Sequence, residues 1–188
     1  VSECQDVFES VAIERTQMVV SERWESLEQA IELAITDDGS NWVPPPVEIA
    51  RADERHRPWG YTNLPAWTGQ VLVLRAEAID VIGPLLDPSG LIRPLAAGED
   101  ELAVFSAYLL EGALNADRSE IRRFSDGRVM AVRRPSFVPE ALSGARAFRL
   151  AEAPRGVAYY TSELVEQIHA TGLARPGQFK LVWPCDPQ

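Results

Sequence analysis

Ala147-Phe148-Arg149-Leu150, then Gly156-Val157-Ala158-Tyr159-Tyr160, then Thr161-Ser162-Glu163 with an amphipathic run to Ala170, then Gly172-Leu173, and last Phe179-Lys180-Leu181-Val182-Trp183: this order of segments decides the fold. Short apolar and aromatic runs bounded by Gly and Pro read as strands. Ser162 followed by Glu163 is a helix start, and Gly172 is a helix stop, because only glycine takes the left-handed turn there without cost. The spacing predicts strands over Arg146–Leu150, Val157–Tyr160 and Phe179–Trp183, with a Ser-capped helix over Glu163–Ala170. The segment carries no obvious catalytic group, so its residues favour a binding module over an enzyme.

Upstream, Ile121–Phe124 and Val129–Val132 are joined through Ser125-Asp126-Gly127, a hairpin signal. Val71-Leu72-Val73-Leu74 predicts a buried strand, followed by a helix from Ala76 to Ile82 that stops at Gly83-Pro84. Leu91–Leu95 and Leu102–Tyr108 read as strands, with Glu99-Asp100-Glu101 as a solvated turn. Gln17–Val20 reads as a short strand. Ser21 then caps a helix over residues 22–35, where Trp24, Leu27, Ala30, Ile31, Ala34 and Ile35 share one face and Glu22, Glu25, Glu28 and Glu32 the other. Residues 40–69 read as irregular, with Pro44-Pro45-Pro46 extended; the aromatic content predicts an ordered loop over the core or a surface groove. The expected fold is α+β: a mixed, largely antiparallel sheet with about three packed helices. A single domain over 1–188 is expected, comprising an acidic strand–helix region (1–56), the aromatic, proline-rich loop (40–69) and a main sheet region (70–188).

The 188 residues are 46% hydrophobic and 24% charged, ordinary for a soluble globular chain. The net charge of -10 is uneven: residues 1–56 hold 13 acids against 4 arginines, and the remainder nearly balances. Such a field repels nucleic acid and anionic lipid and attracts basic partners. No aliphatic run approaches a membrane span. Cys4 and Cys185 lie at opposite ends; a disulfide between them is one reading, and free thiols in a reducing cytoplasm is the preferred one. No metal or other cofactor is expected, since His56 and His169 lack ligand-like spacing. Neither histidine accompanies a nucleophile elbow, and no glycine-rich phosphate loop occurs. Arg118, Arg122, Arg123, Arg128, Arg133 and Arg134 cluster at the hairpin, but the acidic balance of the chain argues against nucleic acid.

Aromatic residues in loops serve as protein-binding anchors or as anchors onto their own core. Trp59, Tyr61 and Trp67 stand open to both readings, whereas Trp24 and Trp183 fit core positions. The candidate binding residues are Glu22, Glu25, Glu28 and Glu32 on the first helix, and Asp53, Glu54, Trp59 and Tyr61 in the loop.

Several segments in order resemble the immunity-protein family numbered eleven in bacterial polymorphic-toxin and contact-dependent secretion systems. They are Val20-Ser21-Glu22-Arg23; Ala78-Ile79 through Leu85-Leu86; Leu114-Asn115-Ala116-Asp117-Arg118-Ser119; Asp126-Gly127-Arg128; Ala147-Phe148-Arg149-Leu150; and Tyr159 to Trp183. Asn115 stands where the family usually has Asp. The resemblance implies a bacterial cytoplasmic protein, monomer or homodimer, that binds a cognate toxin and blocks it by stoichiometric occlusion. A basic toxin such as a nuclease would match the acidic charge. Three rival functions stay open: an adaptor or carrier for a secreted effector, an enzyme that reverses a toxin's modification, and an oligomeric structural protein with no toxin partner.

Overall fold

The computed structural model describes residues 5–21, 32 and 42–185. Among them are twelve strands and three α-helices, an α+β fold with mostly antiparallel pairing. In chain order these are β1 (Val7–Ser10), β2 (Met18–Val20), β3 (Glu48–Ala50), β4 (Leu72–Arg75), α1 (Glu77–Val81), α2 (Gly83–Leu86), β5 (Gly90–Ala97) and β6 (Asp100–Ala107). Then follow β7 (Leu109–Leu110), β8 (Glu120–Arg123), β9 (Val129–Arg134), β10 (Ala147–Leu150), β11 (Tyr159–Thr161), α3 (Ser162–Ala170) and β12 (Phe179–Trp183). The helix expected over 22–35 lies outside the described residues, apart from Glu32, which is helical. No helix among the described residues is long and apolar enough to cross a membrane.

Two sheets share one core because their strands alternate. In the sheet β4-β6-β5, Leu72, Leu74, Phe105 and Ala107 point into a central cluster with Ala78, Ile82 and Leu86 of the helical turn. Val71, Val73, Leu102 and Val104 point the other way, into a second cluster with Val19 and Ile49. That is why the run Val71–Leu74 has no polar member: this strand is buried on both faces. The five-stranded sheet β12-β1-β11-β10-β7 alternates likewise. Ala147, Tyr160 and Phe179 join the central cluster, while Val7, Phe148, Leu150 and Tyr159 join a third cluster beneath the hairpin β8–β9. Among the described strands, β7 on β10 is the one parallel pair; isolated parallel bridges also join Thr16 to Gly60, Met18 to Ala66 and Pro46 to Ala96. Leu164, Val165 and Ile168 of α3 close the central cluster, and each such side chain stabilises the fold by roughly 1.5–3 kcal/mol when fully buried.

The helix after β4 ends at Val81, with Ile82 as its C-cap, before Gly83-Pro84 as expected; Pro84 then occupies the first turn of a second helix, α2, where its missing N–H costs nothing. Three local expectations change. The cap of α3 is Thr161, and no side chain bonds the first-turn amides; its hydroxyl donates instead to Arg146 O at 3.2 Å. Of the segment expected to be irregular, the described residues 42–69 are more regular than their prolines suggest. β3 pairs with β2, and the proline run lies along the β5 edge, where the N–H of Ala96 donates to Pro45 O and that of Val47 to Ala96 O, both at 3.0 Å. Trp42 and Trp67 pack on the second cluster, so this segment is an ordered cover over the core. Finally, Glu99-Asp100-Glu101 is not simply a solvated turn: Asp100 opens β6 and enters an ion-pair network described below.

The expectation of free thiols is also overturned. Cys185 is disulfide-bonded, and the sequence holds one other cysteine, Cys4. Beside it, the Cys185 N–H donates to Asp6 Oδ1 at 2.7 Å, and the Ser162 N–H to Asp6 O at 2.9 Å, so Asp6, just before β1, joins Cys185 to the start of α3. Reduction should lower the unfolding free energy by about 2–4 kcal/mol, by freeing the unfolded chain. Urea denaturation with and without reductant checks this; an unchanged midpoint contradicts a structural role.

Candidate protein-binding surface

The loop between β3 and the segment 60–70 is closed by its own aspartate. Asp53 Oδ1 accepts the backbone N–H of Arg55 at 2.9 Å and of Arg57 at 3.0 Å, and Oδ2 accepts Arg57 Nε at 2.6 Å. His56 takes a left-handed φ of 58° at the tip. The Arg57 amide, then its guanidinium, hold the Asp53 carboxyl below its ordinary 3.8. A carboxyl lowered in this way supports the folded loop fully above pH 3.8, and that support is lost as pH falls through the folded value. Asp53 is therefore committed to the loop itself, whereas Glu54 is exposed.

The far end of the loop is clamped from beneath. Arg75, the buried last residue of β4, donates to Gln17 Oε1 at 2.6 Å and to Asp100 Oδ1 at 2.5 Å. Asp100 Oδ2 also accepts Arg51 NH2 at 2.8 Å. The Arg75 guanidinium carbon lies 4.6 Å from the Tyr61 ring centroid, a cation–π contact. Arg175 reaches across to the Tyr61 carbonyl and fills the space over Gly60. The Tyr61 hydroxyl donates to Asn63 Oδ1 at 2.9 Å. Tyr61 is thus 48% exposed yet held on three sides, and Trp59 is half-buried beside it. The arginines around it are matched by carboxylates: Arg51 and Arg75 pair with Asp100, and Arg57 with Asp53.

Of the acidic helix residues, Glu22, Glu25 and Glu28 lie outside the described residues. Glu32 pairs with Arg155, away from the Tyr61 clamp in sequence and on the rim of a second feature. This is a trough of about 870 Å³ between the hairpin and residues 150–157. Its floor includes Leu150, Ala153 and Tyr159; burial, then the charge of Glu9, pushes the Tyr159 hydroxyl up, so the floor stays neutral. One wall is braced by Gln70 Nε2, which donates to Arg155 O at 2.6 Å, and by buried Arg149, which donates to Ala107 O at 2.9 Å and to Pro154 O. Burial also lowers the Arg149 pKa. The other wall is the hairpin, whose turn repeats the device of the loop: Asp126 accepts the Arg128 N–H at 3.0 Å and its Nε at 2.7 Å.

Trp67 and Trp183 are core anchors, the latter edge-on to Phe137. Both histidines are exposed. Sequence reading missed the Arg75–Asp100 pair and the trough. A signal for buried arginines was present, since Arg75 and Arg149 each adjoin an apolar strand run. The trough gives no local signal, because its walls come from residues 70, 124–132 and 150–159. No protein-family model matches this chain, and no curated protein matches it significantly.

Proposed function

We propose that the protein is a non-catalytic binder that neutralises a cognate bacterial toxin by covering it. The segmental resemblance to an immunity-protein family motivates the reading, and the Tyr61 clamp is the observation that carries it. An exposed aromatic ring held by Arg75 on its face and Asn63 at its hydroxyl, on a backbone fixed by Arg175, binds with little loss of side-chain freedom, the property expected of an interface anchor. Negative charge overall would speed encounter with a basic toxin, and the aromatic pair would hold it. The compartment proposed here is oxidising rather than cytoplasmic, since the free-thiol premise is gone and disulfides persist where thiols are not kept reduced.

The test is co-expression with the toxin encoded beside this gene. Rescue is expected, together with co-purification. Tyr61→Ala combined with Trp59→Ala should weaken the complex at least about thirtyfold, the effect of losing one central anchor. Rescue that persists once the two proteins no longer associate contradicts occlusion. A partner that stays active in the complex supports the adaptor or carrier reading instead.

A further inference from the structure

Five consecutive residues, Arg128 to Val132, line the trough. A sheet face contributes every second residue, so a consecutive run means that the edge of β9 borders the space. That edge is unpaired: β8 and β9 form a two-stranded sheet, and among the described residues no backbone hydrogen bond links 129–134 to anything but β8. A free edge is a template for another strand, and charged side chains commonly guard it. Guarding accounts for the arginines but not for the rest. The space beside the edge is formed, with a braced opposite wall, and Phe124 and Met130 are exposed at it, where a guard calls for charge.

We infer that this trough binds an acidic, extended segment of a partner protein, which adds as a strand to the free edge of β9. Main-chain hydrogen bonds to β9 supply affinity, and alternate side chains of the segment supply selectivity. Those turned inward meet the apolar floor at Leu150 and Val157. Those turned outward meet the hairpin, where residues 120–134 carry five arginines against two carboxylates, in a chain whose total is -10. On the opposite rim Arg155 is already paired with Glu32, so the hairpin supplies the positive charge. Nucleic acid fits less well, since the trough walls are mostly aliphatic and give bases little aromatic surface to stack on. The inference stands apart from the toxin reading: its partner is acidic and its surface is the hairpin, not the Tyr61 clamp.

The experiment uses the full chain and a fluorescein-labelled peptide of roughly eight residues alternating Val and Glu, long enough to pair along the six residues of β9. Its comparators are the same peptide with Lys for Glu, and a twelve-base oligothymidylate. Fluorescence anisotropy should show the Glu peptide binding at least about tenfold tighter than either comparator. Arg128→Glu and, separately, Met130→Asp should each cost about tenfold; both side chains are exposed, so the fold tolerates them. Amide NMR shifts on peptide addition should centre on residues 129–132. Equal binding of the Lys peptide, tighter binding of the oligonucleotide, shifts centred elsewhere, or concentration-dependent protection of 129–132 without peptide (a second copy on the edge) each overturn the inference.

Discussion

Asp100→Ala should lower the unfolding free energy by about 3–5 kcal/mol, among the largest effects of any single surface-near change in this chain. The reason is asymmetry. Arg75 and Asp100 have side chains only 8% and 14% exposed, so their attraction is weakly screened, and removing the aspartate strands a buried guanidinium. Gln17 remains as a partner for one nitrogen, but it carries no charge. Arg51 loses its contact too, although that arginine is exposed and its pair contributes little. The neighbouring backbone adds to the cost of any rearrangement: Ala76 is held at φ 48°, a conformation that L residues adopt only when the surroundings impose it. Asp100→Asn keeps an acceptor and should cost less than Asp100→Ala. Beyond stability, the Tyr61 ring should become mobile as Arg75 shifts, and toxin binding should fall with it. Urea denaturation measures the first effect; a loss below about 1 kcal/mol would mean that the pair behaves as a surface bridge.

Phe137→Ala should cost a comparable amount, about 3–5 kcal/mol, through a cavity in place of a ring. Phe137 is 2% exposed and stands edge-on to Phe148, Tyr159 and Trp183, with centroids 5.6, 5.1 and 5.6 Å away. Such contacts contribute beyond area alone, roughly 0.5–1.5 kcal/mol per pair. The ring also fastens the segment before it, since Phe137 bridges Leu114 and both belong to the cluster under the hairpin. Phe137→Leu should cost less, because much of the volume remains. If the alanine variant unfolds with an unchanged midpoint, that cluster is not packed as described, and the floor of the trough goes with it.

The strands were legible where one physical rule governs them. Val71–Leu74 is apolar throughout because two cores flank it, and Asp126-Gly127 sets a hairpin because the turn requires a positive φ, 87° at Gly127. β3 escaped notice because three residues after three prolines give no pattern; its partner β2 decides it. Pro84 was ambiguous, since proline both ends one helix and begins the next. In the sequence Asp53 has the look of a binding acid, although its amide partners two and four residues on are the spacing of a self-closing loop. Asp100 could not be read at all, since its charge is matched by residues 25 and 49 positions away. The Tyr61 patch was found as an aromatic loop, but the arginines that hold it converge only in three dimensions.

On the proposed reading the protein covers its partner and makes or breaks no covalent bond. Titrating the activity of the proposed toxin partner with the purified protein, at concentrations well above their dissociation constant, measures that directly. Activity should decline in proportion and reach zero at one equivalent, with the toxin's mass unchanged. Full inactivation by a small fraction of an equivalent, or a shift in the toxin's mass, would contradict it.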